Sequence, residues 1–241
     1  MKAYKTLIFD LDDTLIDNDA SISFAIMQVF KKMRLEYNDN CFLEWKKFDN
    51  AYWHAFETGK MNIPTSVKTL EEKKTFLRAN RFVVFFQKLG VSYEMALFLN
   101  KFYNKMLGEN IVEIENARRI LKELYALHYE IIIATNGPKD VAEIKLKTLQ
   151  LKELITTLIC SDEVGFNKPS LEFFHFLYKR CIHLDKQKML MTGDSLTTDI
   201  LGGINFEIDT CWFNPNGLPN PYNYQPTYTI STLLELKRVL N

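Results

Sequence analysis

Short continuous apolar runs recur along the chain, and each is followed by a polar turn. Five such runs lie at 5–10, 129–135, 156–160, 188–194 and 209–214. An unbroken apolar run of this length is typical of a parallel strand whose sheet is covered on both faces. Helical spacing of apolar residues separates the later runs, so the pattern predicts an α/β fold with a doubly wound parallel sheet.

Three helices are predicted between the later strands. Asn116 is placed to cap the first helix, while Pro138 and Pro169 are placed to open the second and the third. The residues predicted to face the core recur three or four positions apart. In the second helix these residues are Val141, Ile144 and Leu149.

Residues 17–107 do not follow this alternation of strands and helices. They contain no convincing buried strand, and their apolar residues form four amphipathic helical patterns, at 20–33, 41–59, 70–90 and 92–107. Such a stretch is too long to be a simple crossover connection after the first strand. The sequence therefore predicts a Rossmann-like core made of residues 1–16 and 108–241, with an all-helical cap domain at 17–107.

Composition and charge narrow the classes of partner. Hydrophobic residues make up 47% of the chain, and 30 basic side chains balance 30 acidic ones, so bulk nucleic acid is not expected as a partner. The four cysteines form no CxxC pair, which argues against a zinc site and a disulfide scaffold. No apolar run reaches the roughly 18 residues of a membrane span, and the first residues do not resemble a signal peptide. We expect a cytoplasmic protein with no membrane partner.

Polar side chains cluster where the predicted strands end. They are Asp10 and Asp12 after the first strand, Thr135, Asn136 and Gly137 after the second, Lys168 after the third, and Asp194, Ser195 and Asp199 after the fourth. Ligands of doubly wound sheets bind at the carboxyl ends of the strands. We therefore expect these residues to lie close together.

Carboxylates that converge in this way repel one another unless a cation lies among them. A hard ion such as Mg²⁺ fits the expected site, because oxygen ligands are plentiful and no His or Cys is nearby. Thr135, the amides around Asn136 and Gly137, and the Lys168 ammonium are suited to bind phosphate oxygens. The residues thus predict Mg²⁺ beside a phosphate group.

Four motifs resemble those of the haloacid dehalogenase-like (HAD) phosphohydrolases: DLDDT at 10–14, Thr135, KP at 168–169 and GDSLTTD at 193–199. They stand in the order of that family and on the expected elements. Further stretches are similar to the noncanonical pyrimidine 5′-nucleotidase branch. These are IIIATNG, ICSDEVGFNKP and GDSLTTDILGGINFEIDTCWFN in the core, and YWHAFETGK with the RF pair at 81–82 in the cap.

The resemblance implies a reaction through an aspartyl-phosphate. Asp10 is then the nucleophile, Asp12 the acid and base for the leaving group and the water, and Lys168 a phosphate ligand that also offsets the charge of Asp10. The remaining roles are phosphate binding by Thr135, Asn136 and Gly137, and Mg²⁺ binding by Asp10, Asp194 and the Asp12 backbone carbonyl. Asp199 and Ser195 are expected behind these ligands, where Asp199 orients water or Lys168.

The predicted function is a Mg²⁺-dependent phosphomonoesterase whose substrate is a pyrimidine nucleoside 5′-monophosphate. In the cap, Trp53 and Arg81 are candidate substrate contacts, although a core role for Trp53 and a surface ion pair for Arg81 are the simpler alternatives. A less favoured alternative for Asp199 is that it is simply an acidic residue in the first turn of a helix. A monomer and a homodimer are both compatible with the sequence.

Other functions remain open. The same parts could hydrolyse another small metabolite, such as a sugar phosphate or phosphoglycolate. A haloacid dehalogenase would need neither Asp12 nor Asp194. A phospho-receiver domain has its acidic pair a whole βα unit before the phosphorylated aspartate, and no cap after the first strand, so both of these alternatives are less favoured.

Overall fold

The computed structural model describes residues 3–240, without the side chains at positions 57 and 70. The chain divides into two compact units. The sheet unit consists of Met1–Asn18 and Ile111–Asn241, and the helical unit consists of Asp19–Asn110. The chain therefore leaves the sheet unit once and returns to it once.

Strands of the described residues belong to two sheets. Their bounds are β1 (Thr6–Phe9), β2 (Ile16–Asp17), β3 (Val112–Glu113), β4 (Glu130–Thr135), β5 (Thr157–Cys160), β6 (Met189–Gly193), β7 (Asp209–Phe213) and β8 (Tyr228–Ile230). Six strands form a parallel sheet in the order β5-β4-β1-β6-β7-β8, and β2 pairs antiparallel with β3. The five predicted strands are present. The sequence did not predict β2, β3 or β8.

Two apolar layers cover the large sheet. Alternate residues of one strand point to opposite faces, so Leu7 and Phe9 join one cluster whereas Ile8 joins the other. In β4, Ile131 and Ile132 divide in the same way. Every residue of β1, β4 and β6 is buried, which explains why these strands read as continuous apolar runs.

Among the described residues, six α-helices belong to the sheet unit and four to the stretch between β2 and β3. The latter are α1 (Asn18–Lys32), α2 (Asp39–Glu57), α3 (Leu70–Phe85) and α4 (Tyr93–Leu107). The former are α5 (Ala117–Ala126), α6 (Lys139–Thr148), α7 (Ser161–Val164), α8 (Leu171–Tyr178), α9 (Leu201–Asn205) and α10 (Leu236–Leu240). A parallel sheet with helices, and an inserted all-helical segment, confirm the predicted fold class. Within residues 3–240, no helix combines the length and apolarity needed to cross a membrane.

Aromatic packing holds the helical unit together. The indole of Trp45 on α2 is fully buried and stacks on Phe82 of α3, with ring centroids 5.0 Å apart. Phe85 meets the same indole edge-on at 5.0 Å, and Tyr103 of α4 lies 5.7 Å from it. Side-chain caps define where helices begin, as at α4, where the Ser92 side chain accepts a hydrogen bond from the Met95 N–H.

Two details of the predicted helices are wrong. Asn116 was predicted to cap α5, but it stands before the helix with a φ of 66° and makes no side-chain cap hydrogen bond. Its side-chain amide donates to the Glu115 carboxylate instead. In α6, Ile144 is 39% exposed, whereas Lys145 is buried. Successive helical residues are about 100° apart, so the face that carries Val141 and Leu149 passes through position 145 rather than 144.

Candidate active site

The sheet order brings the predicted site residues to one edge. β1 lies between β4 and β6, and all three strands run in the same direction. Asp10 follows β1, Thr135 ends β4, and Asp194 follows β6. The Asp10 N–H donates to the Thr192 carbonyl at 2.9 Å, which extends the β1–β6 pairing to the start of the site.

Lys168 lies at the centre of this edge. Its ammonium donates to Asp10 Oδ1 at 2.6 Å, Asp199 Oδ1 at 2.7 Å and the Ala134 carbonyl at 2.6 Å. These three acceptors match the three donors of a lysine, and the side chain is almost completely buried. Burial alone would lower the pKa of Lys168, but the charges of Asp10 and Asp199 outweigh burial and raise it. Lys168 is therefore a fixed cation.

Asn136 positions the backbone of Lys168. The Asn136 amide donates to the Lys168 carbonyl at 3.1 Å, and its oxygen accepts from the Lys168 N–H at 2.8 Å. The Ser161 hydroxyl in turn donates to the Asn136 carbonyl at 2.9 Å. The side chain of Asn136 thus links the end of β4 to the loop that carries Lys168, and phosphate binding at Asn136 stays a prediction.

The carboxylates of Asp10, Asp194 and Asp199 form a cluster in which one oxygen of each lies within 4.8 Å of the others. Burial raises the pKa of Asp10 well above its usual value, the charges of Asp199 and Asp194 add to this, and Lys168 opposes it. Burial also raises the pKa of Asp194 to about 7, with Asp199 and Asp13 contributing. Three ionised carboxylates would exceed the single positive charge of Lys168, which is why burial and mutual repulsion raise these pKa values.

This cluster fits a hard cation. Asp199 already uses Oδ1 for Lys168 and Oδ2 for the Ser195 N–H at 3.2 Å. Asp10 and Asp194 keep carboxylate oxygens outside the Lys168 ion pair and share the Thr14 hydroxyl, at 3.5 and 3.3 Å. The donor set consists of carboxylate oxygens, which are ligands that Mg²⁺ prefers. Asp10 and Asp194 are thus suited to direct contact with the ion, and Asp199 to support.

Gly193 makes room for Asp199. A Cβ at position 193 would lie 2.2 Å from Asp199 Oδ2, closer than any real contact. Ser195 caps the π-helical turn Leu196–Ile200 that carries Asp199, since its hydroxyl accepts from the Thr198 N–H at 3.3 Å. From β7, the Trp212 indole donates to the Asp194 carbonyl at 2.8 Å. The segment after β6 is fixed from several sides.

Thr135 and Gly137 form a tight turn after β4. The Gly137 N–H donates to the Thr135 hydroxyl at 2.9 Å. A Cβ at Gly137 would lie 3.2 Å from that hydroxyl and 3.5 Å from Asp12 Oδ2. Asp12 therefore faces the turn with its Oδ2 oxygen, across a gap that the missing side chain of Gly137 leaves open.

Lys145 is a neighbour of the site that the sequence did not predict. Its ammonium donates to Asp12 Oδ1 at 2.5 Å and to Asn18 Oδ1 at 3.2 Å. The Lys145 side chain is 2% exposed, whereas that of Asp12 is 27% exposed. The signal was available in the sequence, because a lysine four residues from both Val141 and Leu149 lies on the buried face of α6.

Trp53 and Arg81 lie in the helical unit. Arg81 is 5% exposed and pairs with Asp49 Oδ1 at 3.0 Å, so its ion pair is buried and not at the surface. Its guanidinium carbon lies 4.8 Å from the ring centroid of Tyr103. Trp53 is half-buried and meets the Tyr52 ring edge-on at 6.0 Å. Substrate contact by either residue stays a prediction.

The family of the chain follows from comparison with known proteins. Residues 7–213 match the model of the haloacid dehalogenase-like hydrolases. The chain belongs to this family. The match confirms the predicted family and the predicted class of enzyme, a hydrolase.

Individual relatives cover nearly the full chain. The HAD-hydrolase YfnB of Bacillus subtilis is 32% identical over 241 residues, which are 100% of this chain and 97% of YfnB. A magnesium-bound crystal structure of YfnB superposes with a TM-score of 0.86 at 30% identity, covering 100% of both chains. The pyrimidine 5′-nucleotidase PynA of Streptococcus pneumoniae is 30% identical, covering 97% of this chain and 93% of PynA. Human N-acylneuraminate-9-phosphatase is 26% identical, covering 98% and 93%.

Proposed function

We propose that the chain is a Mg²⁺-dependent phosphomonoesterase that acts through an aspartyl-phosphate intermediate on a pyrimidine nucleoside 5′-monophosphate. One observation carries the proposal: Asp10 and Asp199 share the buried ammonium of Lys168, 2.6 and 2.7 Å away, beside the carboxylate of Asp194. A carboxylate nucleophile must be ionised and must meet an anionic phosphate, so it needs a fixed cation at hand. Lys168 supplies one such positive charge, and bound Mg²⁺ would add to it.

In the first step, a carboxylate oxygen of Asp10 attacks phosphorus while the bond from phosphorus to the ester oxygen breaks. Asp12 donates its proton to that departing oxygen, so the alcohol leaves neutral. Lys168 and the Thr135 hydroxyl offset the charge on the phosphoryl oxygens. The products of this step are the free alcohol and phosphorylated Asp10.

In the second step, water attacks the phosphorus of the aspartyl-phosphate. Asp12, now ionised, takes a proton from that water, and the bond from phosphorus to Asp10 breaks. Inorganic phosphate is released, and both carboxylates return to their starting states. One residue thus serves as acid and then as base.

Magnesium complements these residues. Asp10, Asp194 and the backbone carbonyl of Asp12 would hold the ion, which supplies positive charge to the phosphoryl oxygens when bound. Asp199 supports the arrangement through Lys168 and the Ser195 N–H. The relative YfnB was solved with bound magnesium, and this supports the assignment.

The nucleophile is tested by replacing Asp10 with asparagine. We expect Asp10→Asn to lose phosphate release from 4-nitrophenyl phosphate entirely, because an amide cannot form the acyl-phosphate. EDTA should abolish release by the unaltered protein, and added Mg²⁺ should restore it. Full activity of Asp10→Asn, or full activity in EDTA, would contradict the mechanism.

The substrate is tested with a panel of phosphate esters. The similarity to PynA over 97% of this chain supports a pyrimidine nucleotide, whereas the similarity to N-acylneuraminate-9-phosphatase supports a sugar-acid phosphate. Pyrimidine and purine 5′-monophosphates, N-acylneuraminate 9-phosphate, hexose phosphates and phosphoglycolate should be compared by kcat/KM. We expect the pyrimidine nucleotides to rank first, and a higher kcat/KM for any sugar phosphate would overturn this choice.

A further inference from the structure

A buried lysine that the phosphate chemistry above does not use contacts the proposed acid. The side chain of Lys145, within α6, is 2% exposed, and its ammonium lies 2.5 Å from Asp12 Oδ1. Burying a lysine is unfavourable unless its charge is paired. The residues that satisfy it, Asp12 and Asn18, both lie in the segment that follows β1. The ion pair therefore ties α6 to the residue that must move a proton.

The geometry separates the two oxygens of Asp12. Lys145 binds Oδ1, while Oδ2 faces the Thr135–Gly137 turn. The terminal torsion of an aspartate is broad, so an unrestrained carboxylate turns readily. Anchoring one oxygen on a buried cation removes that freedom and fixes where the other oxygen points.

The anchor is itself held in place. Asn18 Oδ1 accepts from the Lys145 ammonium at 3.2 Å. Helix α6 begins directly after the turn that ends β4, and its Val141 and Lys145 form one buried face with Leu149, which directly follows the helix. The same βα unit therefore provides the phosphate-binding turn and the cation that orients Asp12.

We propose that Lys145 is a positioning residue that holds the Asp12 carboxylate by Oδ1 so that Oδ2 addresses the leaving-group oxygen and then the attacking water. This inference rests on the proposed function. Lys145 neither gains nor loses a proton in it. The proton passes from Asp12 Oδ2 to the ester oxygen in the first step, and from water to the same carboxylate oxygen in the second.

A positioning role predicts a dependence on the leaving group that a structural role does not. Nitrophenolate leaves without protonation, whereas an alkoxide needs the acid. Lys145→Met should therefore reduce kcat/KM for a nucleoside 5′-monophosphate by about 100-fold, the usual contribution of a general acid. For 4-nitrophenyl phosphate the loss of kcat/KM should be under about threefold, since that ratio reports only the steps through formation of the aspartyl-phosphate.

The second step gives an independent readout. Water attack still needs Asp12 as base, so Lys145→Met should accumulate the phosphorylated enzyme with 4-nitrophenyl phosphate. We expect a rapid burst of nitrophenolate of about one equivalent per enzyme, followed by slow turnover. Asn18→Ala, which removes only the second contact of Lys145, should show the same leaving-group pattern with a smaller loss.

Lys147→Met is the matched control, because Lys147 is exposed on the same helix; it should leave both substrates unaffected. An equal loss for both substrates in Lys145→Met and Asn18→Ala, or no loss in either, would overturn the positioning role. If the unaltered protein hydrolyses neither ester, the proposed function fails instead. The two failures are therefore distinguishable.

Discussion

Lys168 in the sheet unit and Arg81 in the helical unit are both buried cations, and their surroundings differ. In the sheet unit, Lys168 meets two carboxylates and a carbonyl. In the helical unit, Arg81 meets one carboxylate, Asp49, and the Arg78 carbonyl, and its guanidinium lies over aromatic rings. Lys168 is thus held by oxygen acceptors alone among its hydrogen bonds, whereas Arg81 is held by two oxygen acceptors together with aromatic rings.

The chemistry of the two side chains explains the difference. A guanidinium is weakly hydrated and flat, so it stacks on rings with little loss when it leaves water. An ammonium is compact and strongly hydrated, and needs oxygen acceptors to replace its water. Arg81 therefore suits an aromatic core, whereas Lys168 suits a site that concentrates negative charge. Substitutions around Lys168 should consequently reduce activity, whereas substitutions around Arg81 should reduce stability.

The largest effect is expected at Lys168. Lys168→Met removes the cation that offsets Asp10 and the phosphoryl oxygens, so kcat/KM should fall by about 1000-fold, as for loss of a strong electrostatic contact. Phosphate release measures the fall, and circular dichroism shows whether the variant is folded. Lys179→Met, at an exposed lysine of the same unit, is the control. More than a tenth of the native activity in Lys168→Met would remove the distinction between the two cations.

A smaller loss is expected at Gly193, where the effect is indirect. In Gly193→Ala the new Cβ would lie 2.2 Å from Asp199 Oδ2, so Asp199 must leave the position in which it pairs with Lys168. We expect kcat to fall by about 100-fold, because a misplaced contact behaves like a missing one. Steady-state kinetics test this. Native kcat would show that the position of Asp199 is unimportant for turnover.

In the helical unit the expected change is one of stability. Asp49→Asn leaves the buried Arg81 without its carboxylate, which should lower the free energy of unfolding by about 3 kcal/mol. The kcat/KM of the folded variant should stay within about twofold of native. Chemical denaturation and phosphate release are the two measurements. Glu44→Gln, an exposed acid on the same helix, should change neither. A large loss of kcat/KM in the folded Asp49→Asn variant would tie the ion pair to substrate binding.

The finest comparison uses two serines that cap helical turns. Ser92 caps α4 in the helical unit, and Ser195 caps the turn that carries Asp199 in the sheet unit. Alanine at either position should cost about 1 kcal/mol of unfolding free energy. Only Ser195→Ala should also reduce kcat, by a few-fold, since its cap orients Asp199. Equal kcat values in the two variants would show that the cap of Ser195 serves stability alone.

The site residues at the strand ends could be predicted from the sequence, because their position depends only on where each buried strand ends. A buried parallel strand is a continuous apolar run, and the polar residue that ends it must lie at the carboxyl edge of the sheet. Asp10, Thr135 and Asp194 follow from that argument. Lys168 and its pairing with Asp10 and Asp199 follow from the motifs. Its hydrogen bond to the Ala134 carbonyl and the Asn136 bridge to its backbone were not predicted, because they depend on the course of the loop.

Features set by register or by short pairings escaped prediction. Lys145 was missed because assigning Ile144 to the core rotated the helix by about 100°, one residue. The capping role of Asn116 was wrong because its backbone lies in the left-handed region, at φ 66°. β2 and β3 have two residues each, and β8 has three after a turn-rich loop, which is too short to give a recognisable pattern.

The two-residue pairing between β2 and β3 has a consequence for how such chains can be rebuilt. Ile16 lies opposite Glu113 and Asp17 opposite Val112, so the exit and the return of the chain stand side by side in the sheet unit. Closing a gap between adjacent ends costs little more chain entropy for a long insert than for a short loop. A different module could be grafted between positions 18 and 111, or a short linker placed there, with every strand-end residue left in place. The β2–β3 pairing is thus a suitable place at which to exchange the inserted helical unit for another domain.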